Sequence, residues 1–226
     1  MRRRHRGTLV AAACMAGTMA CGGGAAGEPG KIALPAPAES VGCDLHRALR
    51  SRRSVRDFSR APLNVTDVSQ LLWAGQGITA KGRFRTAPSA GALYPLEIYL
   101  VAGAVEGLDA GVYRYVAEGH ALVRVRSGDG RAALAAAALG QQSVSQGAAA
   151  IVIAGVYQRT ARKYGERAGR YVEMEAGHAA QNICLEAAAL DLGAVVIGAF
   201  RDDAVKQVAG LRADEAPLSI IPVGHR

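Results

Sequence analysis

Apolar and polar positions recur with two different periods along the chain, and the switches between them mark its elements. Leu45, Ala48 and Leu49 fall at helical spacing and predict a helix over residues 43–51. Val68, Leu71, Leu72 and Gly75 share one face of a second helix over residues 64–76, with Asn64 or Thr66 as its N-cap. Residues 96–101 alternate and are rich in branched side chains, as a strand is. Residues 112–116 and 121–125 flank Glu118-Gly119-His120 and predict a hairpin. An alanine-rich helix follows over residues 131–139, then a short, continuous apolar run over 150–154 that reads as a buried strand. The longest helical pattern covers residues 170–192. It sets Gly177, His178, Gln181 and Asn182 on an otherwise apolar background, where the polar groups need partners. A strand over 194–198, a short helix over 203–209 and a final strand over 218–223 complete the pattern. Strands alternate with helices but a hairpin interrupts them, which favours an α+β sheet with helices packed on it over a regular doubly wound fold. No G-x-G-x-x-G follows a strand, so a Rossmann nucleotide site is not supported.

Composition changes this picture mainly at the N-terminus. Half of the 226 residues are hydrophobic, enough for one sizeable buried core. Residues 1–20 form a basic stretch followed by an apolar run too short to span a bilayer, the pattern of a signal peptide. Cys21, preceded by small residues and followed by three glycines, resembles a lipoprotein processing site, with ordinary cleavage near Ala20 or Ala26 as the alternative. Residues 21–40, rich in glycine, alanine and proline, read as a tether, and residues 41–226 as the globular domain. The expected localisation is therefore export, with a membrane anchor on Cys21. Removing residues 1–20 takes away four arginines and no acid, which lowers the formal charge from +8 to +4. The basic balance thus speaks for export rather than for nucleic acid. Cys43 and Cys184 remain for the domain; export permits a bridge between them, while the apolar setting of Cys184 favours a buried free thiol. The five histidines are scattered, and no metal site is expected.

Four segments carry candidate chemistry. Residues 51–58 pack Arg52, Arg53 and Arg56 with Ser51 and Ser54 at a helix end, against one acid, Asp57. Guanidinium groups suit bidentate phosphate recognition, and a solvated basic surface is the plain alternative. Residues 87–97 form a proline-stiffened loop of small residues, including Pro88, Ser89 and Ala90, that a flat ligand could approach closely. Ile197-Gly198-Ala199-Phe200 is a strand exit with accessible main-chain amides, and Arg226 closes a terminal basic segment.

In this order and spacing the four segments resemble the nitroreductase superfamily, and within it the SagB-type dehydrogenase branch, which includes the azoline oxidases of peptide natural-product pathways. The resemblance covers residues 43–226. It implies a nitroreductase-like α+β fold, a central, mainly antiparallel sheet flanked by helices, and a homodimer that binds FMN at its interface. Carried over by position, Arg52, Arg53, Ser54 and Arg56 become phosphate and ribityl contacts, with Arg56 nearest the flavin pyrimidine edge. Pro88, Ser89 and Ala90 line the ring, Gly198 and Ala199 offer main chain near N5, and Arg226 closes on the phosphate. Lys163 and Tyr164 resemble the Lys-Tyr pair associated with proton removal in azoline oxidases; an ordinary charged surface helix is the alternative. His178, Gln181 and Asn182 resemble the central dimer helix, and Tyr94 either caps the flavin pocket or fills the core. The implied activity is an exported FMN-dependent oxidoreductase that oxidises a small or peptide-derived organic substrate by hydride transfer to the flavin. The alternatives are an NAD(P)H-dependent nitro- or quinone reductase and a flavin-binding scaffold lipoprotein without turnover.

Overall fold

A computed structural model describes residues 30–80 and 84–226. The signal-peptide and Cys21 expectations lie outside the described residues. In chain order the elements are β1 (Lys31–Ala33), α1 (Leu45–Ser51), β2 (Leu63–Asn64), α2 (Val65–Gln76), β3 (Ile78–Ala80), β4 (Phe84–Arg85), β5 (Leu96–Ala102), β6 (Val105–Glu106), β7 (Gly111–Val116) and β8 (Ala121–Ser127). There follow α3 (Arg131–Ala137), α4 (Gln142–Gln146), β9 (Ala149–Gly155), α5 (Tyr157–Tyr164), α6 (Ala168–Ala189), β10 (Leu192–Ala194), α7 (Asp202–Ala209) and β11 (Ala216–His225). Seven strands form one sheet in the order β1-β8-β7-β5-β9-β11-β10, and every neighbouring pair is antiparallel.

The central strands are apolar on both faces because both are covered. Along β5, Leu96, Ile98 and Leu100 face one core, with Val68, Leu71 and Leu72 of α2 and Val172, Ala179 and Ile183 of α6. Tyr99 and Val101 face a second core with Leu134 of α3, Val144 of α4 and Val205 of α7. The helix–sheet contact on the first face is close: a Cβ on Gly75 would come within 2.8 Å of the Ile98 Cδ1 and 3.0 Å of the Ile183 Cδ1. Asn64 caps α2 through a capping box with Asp67, which decides between the two expected caps.

Several boundaries differ from the sequence expectation, each for a local reason. Lys31–Ala33, expected within the tether, pairs with β8, so the packed unit starts before residue 41. The following residues are fastened too. The Leu34 N–H donates to the His120 carbonyl at 3.1 Å, and the Ser69 hydroxyl donates to the Pro35 carbonyl at 2.6 Å. His120 Nε2 lies 2.6 Å from Ser69 Oγ and its Nδ1 2.8 Å from Tyr115 Oη. With the Ser69 proton committed to Pro35, Nε2–H donates to Ser69 and Nδ1 accepts from Tyr115. The helix expected over 131–139 ends at Ala137, because Leu139 and Gly140 both adopt positive φ, 58° and 78°. The strand expected over 194–198 forms earlier, at Leu192–Ala194, and beyond it a single bridge joins Ile197 to Ile220. Gly193 explains the shift. A Cβ there would lie 2.7 Å from the Val55 Cγ1, so only glycine lets the segment after α1 lie against this strand. Both Cys43 and Cys184 are free thiols.

Candidate functional site

At the end of α1 the Arg52 N–H donates to the Ala48 carbonyl at 3.0 Å, and the chain then runs extended beside β10. Ser54 bridges Ala194, and the Val55 N–H donates to the Ala194 carbonyl at 3.0 Å. Arg226 reaches the same strand, its Nε and Nη2 donating to the Leu192 carbonyl at 3.2 and 3.1 Å. The Arg53 Nη1 donates to the carbonyls of Arg50 and Arg52, each at 2.8 Å. Main-chain pairing thus brings Arg52, Arg53, Ser54, Arg56 and Arg226 together along β10. Among the described residues no carboxylate pairs with Arg52 or Arg56. Gly198 and Ala199 leave the same edge of the sheet, exposed, just after the Ile197 bridge to β11. The Ala199 carbonyl accepts from the Gln141 Nε2 at 3.0 Å, and a Cβ on Gly198 would meet nothing within 4 Å.

The loop from Pro88 to Tyr94 is held by different means. The Ala90 N–H donates to the Glu175 Oε1 of α6 at 2.9 Å, and the Tyr94 N–H donates to the Ser89 Oγ at 2.9 Å. Gly91, Ala92 and Tyr94 all adopt positive φ, at 63°, 53° and 45°, which for the two non-glycine residues is strained. Glu175 is buried. Its burial pushes its carboxyl above the usual range, against the lowering effect of the Ala90 N–H, the Ser89 hydroxyl and the nearby His178.

Lys163 and Tyr164, at the end of α5, are brought to this loop. A Cβ on Gly91 would lie 2.9 Å from both the Lys163 Nζ and the Tyr164 Oη. The Tyr164 ring packs edge-on against Tyr171 with centroids 5.0 Å apart, and the Lys163 Nζ sits 5.5 Å from the Tyr164 ring centroid. A cavity of about 280 Å³ opens beside the loop, lined by Pro88, Ser89, Ala90, Tyr171, Met174 and Glu175, with His178 at its side. Tyr94 is partly buried; the Arg85 guanidinium stacks on its ring at 4.7 Å.

Within one chain these two groups stand apart. The loop is fastened at Glu175 of α6, whereas Leu45 and Ala48 of α1, the helix that leads into Arg52, line one cavity with Leu185 and Ala189 of the same helix. At about 1.5 Å per residue Glu175 and Leu185 are separated by roughly 15 Å along the helix axis. Between them α6 turns an exposed stripe outward, with Met174, Gly177, His178 and Gln181, while Asn182 donates to the Thr86 carbonyl at 3.2 Å. On α1, Leu45 and Leu49 are also exposed, at 62% and 49%.

Sequence reading missed Glu175, the anchor of the Ser89–Ala90 turn. The signal for Glu175 was its register: it lies three residues after Val172 and four before Ala179, on the buried face of α6. A second carboxyl, Glu186, lies along the same helix with its Oε1 buried and without a hydrogen-bond partner, and burial raises its pKa.

Comparison with known proteins gives the family and the fold. The sequence profile of the nitroreductase family matches residues 49–225. A protein of Methanocaldococcus jannaschii named as a nitroreductase is 43% identical over 182 residues, covering 80% of this chain and 91% of that protein. A solved structure of a protein described as a nitroreductase from Anabaena variabilis superposes with a TM-score of 0.76 at 30% identity. That match covers 86% of this chain and 41% of the Anabaena chain, so this chain spans less than half of that protein. A chain of the E. coli microcin synthetase McbBCD complex, solved with truncated pro-MccB17 bound, superposes with a TM-score of 0.68 at 26% identity, covering 78% of this chain and 70% of that one. With the profile spanning most of the domain and an antiparallel α+β sheet beneath it, the chain belongs to the nitroreductase family.

Proposed function

We propose that this protein is an FMN-dependent oxidoreductase of the SagB-type branch, homodimeric, exported and tethered through Cys21, that oxidises an organic substrate. The observation that carries this reading is the meeting of Lys163 and Tyr164 with the Pro88–Tyr94 loop at Gly91. Two proton-handling side chains thereby stand beside the loop that the family resemblance assigns to the flavin ring.

The residues present fit FMN. Arg52 and Arg56 carry guanidinium groups without a carboxylate partner among the described residues, as a phosphate site requires, and Ser54 adds a hydroxyl donor. The cavity beside Ser89 and Ala90 and the open space at Gly198 would let a planar ring approach the main chain. When bound, FMN accepts and donates hydride, chemistry that no side chain supplies. Arg56, which the resemblance assigns to the pyrimidine edge, would hold a positive charge that favours the reduced flavin. Lys163 takes a proton from the substrate, and Tyr164, close enough for both groups to crowd the same point above Gly91, relays it. Both need a drier setting than one protomer gives Lys163, which is exposed.

A second copy supplies that setting. The outward stripe of α6 and the exposed leucines of α1 offer an apolar surface with polar groups along it, and pairing through it closes the separation between one protomer's arginine end and its partner's loop. Similarity to the microcin synthetase chain supports the branch, since that chain works in a complex solved with a peptide bound. Export follows from residues 1–21 and bears on the direction of the reaction: NAD(P)H is a cytoplasmic reductant, so the substrate is the donor and oxygen or a quinone the acceptor.

The absorption spectrum of the purified mature protein tests the cofactor, and the donor that bleaches it tests the direction. Flavin bands reduced by an organic substrate are expected. A colourless protein that takes up no FMN overturns the reading in favour of a scaffold. Rapid NAD(P)H oxidation with a quinone or nitroaromatic, or a mature protein found in the cytoplasm, overturns the exported dehydrogenase.

A further inference from the structure

β5 and β7 pair from Tyr99 with Arg114 to Ala102 with Gly111. The same register would next match Ile98 with Tyr115 and Glu97 with Val116, but the pairing stops and the strands splay. Each keeps its other neighbour: β5 stays with β9 as far as Leu96, and β7 with β8 as far as Val116. The gap between them is a cavity of about 220 Å³ whose charged lining is Arg85, Arg114, Arg159, Glu97 and Glu118.

The three arginines are not equivalent. Arg85 donates to the Gln76 Oε1 at 3.0 Å and to the Glu118 Oε1 at 3.1 Å. Arg159 donates to the Tyr94 carbonyl at 3.1 Å and to the Glu97 carboxylate. The Arg114 side chain makes no hydrogen bond to any described residue; its Nη1 stands 3.7 Å from the Glu97 Oε2, an ion pair beyond hydrogen-bond reach. Its side chain is 24% exposed. A guanidinium carries five N–H donors, and those of Arg114 remain open to a ligand in the cleft. Arg85 and Arg159 are each matched by one carboxylate, Glu118 and Glu97, so the third arginine leaves the lining with one positive charge in surplus.

We propose that the cleft between the splayed ends of β5 and β7 binds a small carboxylate, its two oxygens set on the fork of Arg114. The planar guanidinium matches a planar carboxylate in a way that a single ammonium or a lone hydroxyl does not. The cavity volume, 220 Å³, corresponds to roughly seven waters at about 30 Å³ each, the size of a carboxylate with six or seven non-hydrogen atoms such as malonate. None of the residues assigned to flavin lines this cleft. Tyr94 nevertheless joins the two regions: Arg159 holds its carbonyl, Arg85 stacks on its ring, and its N–H rests on the Ser89 Oγ. An anion in the cleft is therefore one side chain away from the Ser89–Ala90 turn.

Calorimetric titration of malonate into the purified full chain tests this, with flavin content read by absorbance in the same samples. Saturable binding at one site per chain is expected, weakened at least tenfold in R114Q and partly retained in R114K, which keeps the charge and loses the fork. Flavin content should be the same in all three proteins. Absence of saturable binding by the wild type overturns the proposal, as does wild-type affinity in R114Q. Should circular dichroism show R114Q unfolded, R114K decides, and wild-type affinity there overturns it. Inorganic phosphate should bind the cleft more weakly than malonate; tighter phosphate binding overturns the carboxylate assignment. Malonate binding that persists in R114Q but is lost in R56A puts the anion at the β10 end and overturns the cleft. Loss of malonate binding with flavin retained leaves the oxidoreductase reading untouched.

Discussion

Along β10 the candidate groups are positioned by backbone pairing and hydrogen bonds to main-chain carbonyls, and the guanidinium groups of Arg52 and Arg56 have no acidic partner among the described residues. In the loop from Pro88 to Tyr94 the same task falls to a buried carboxyl and to three residues at positive φ. The Arg52 and Arg56 side chains can therefore be changed without disturbing what places them, so substitutions at these two report on binding. At the loop, placement and chemistry use the same atoms, and a change in one is a change in the other.

The largest effect expected from this contrast is at the arginine end. Replacing Arg52 and Arg56 together by alanine removes two charge-assisted contacts worth about 1.5–3 kcal/mol each, so FMN retention should fall by roughly two to four orders of magnitude. The melting temperature without flavin should hardly move; a large drop would mean that these arginines build the fold. Next is Lys163→Ala, which should lower substrate-dependent flavin reduction by about 10²–10⁴-fold while flavin stays bound. Unchanged turnover would return Lys163 to an ordinary surface charge. Gly91→Ala should cost about 1–2 kcal/mol from the left-handed backbone alone and should displace Lys163 as well, so stability and reduction rate fall together. A loss of one without the other would break the claim that placement and chemistry are shared there. Glu175→Ala leaves the Ala90 N–H without its acceptor, at about 1–3 kcal/mol, and should loosen the turn; Glu175→Gln keeps an acceptor and should restore most of it.

The smallest effect concerns Glu186. Burial raises its pKa in the folded chain above the unfolded value, so the unfolded chain gives up the proton first. The protonated carboxyl fits the fold at pH below about 4, the unfolded carboxylate range, and stability is lost as pH rises through the folded value. Glu186→Gln should thus stabilise the protein at pH 7, with the gain vanishing in acid. Urea unfolding at pH 7 and pH 4 measures it, and an equal effect at both would show that charge is not the cause.

Much of the fold was legible because its periodic signals were strong. The strand from Ala149 is apolar on successive residues because both sheet faces are covered, and Asn64 is one of the two caps that the residues before α2 offer. What escaped was set by contacts distant in sequence. β1 lies in a stretch composed like a tether and is a strand because β8 and the His120 network hold it. β10 falls two residues early because Gly193 must pass beneath Val55. The site was legible as a set of residues but not as an arrangement. Spacing alone could not tell that Lys163 and Tyr164 meet Gly91, nor that the arginines sit at the other end of α6 from the loop.

The placement of β1 has a mechanical consequence. It occupies one edge of the seven-stranded sheet and β10 the other. With six strand-to-strand steps of about 4.8 Å between them, the edges lie roughly 29 Å apart. Any pull on the chain from before Lys31 is taken up by the β1–β8 ladder and the Pro35 latch, on the far side of the molecule from the arginines. An anchor upstream, as proposed, would hold the domain by the β1 rim and leave the β10 end facing away from it.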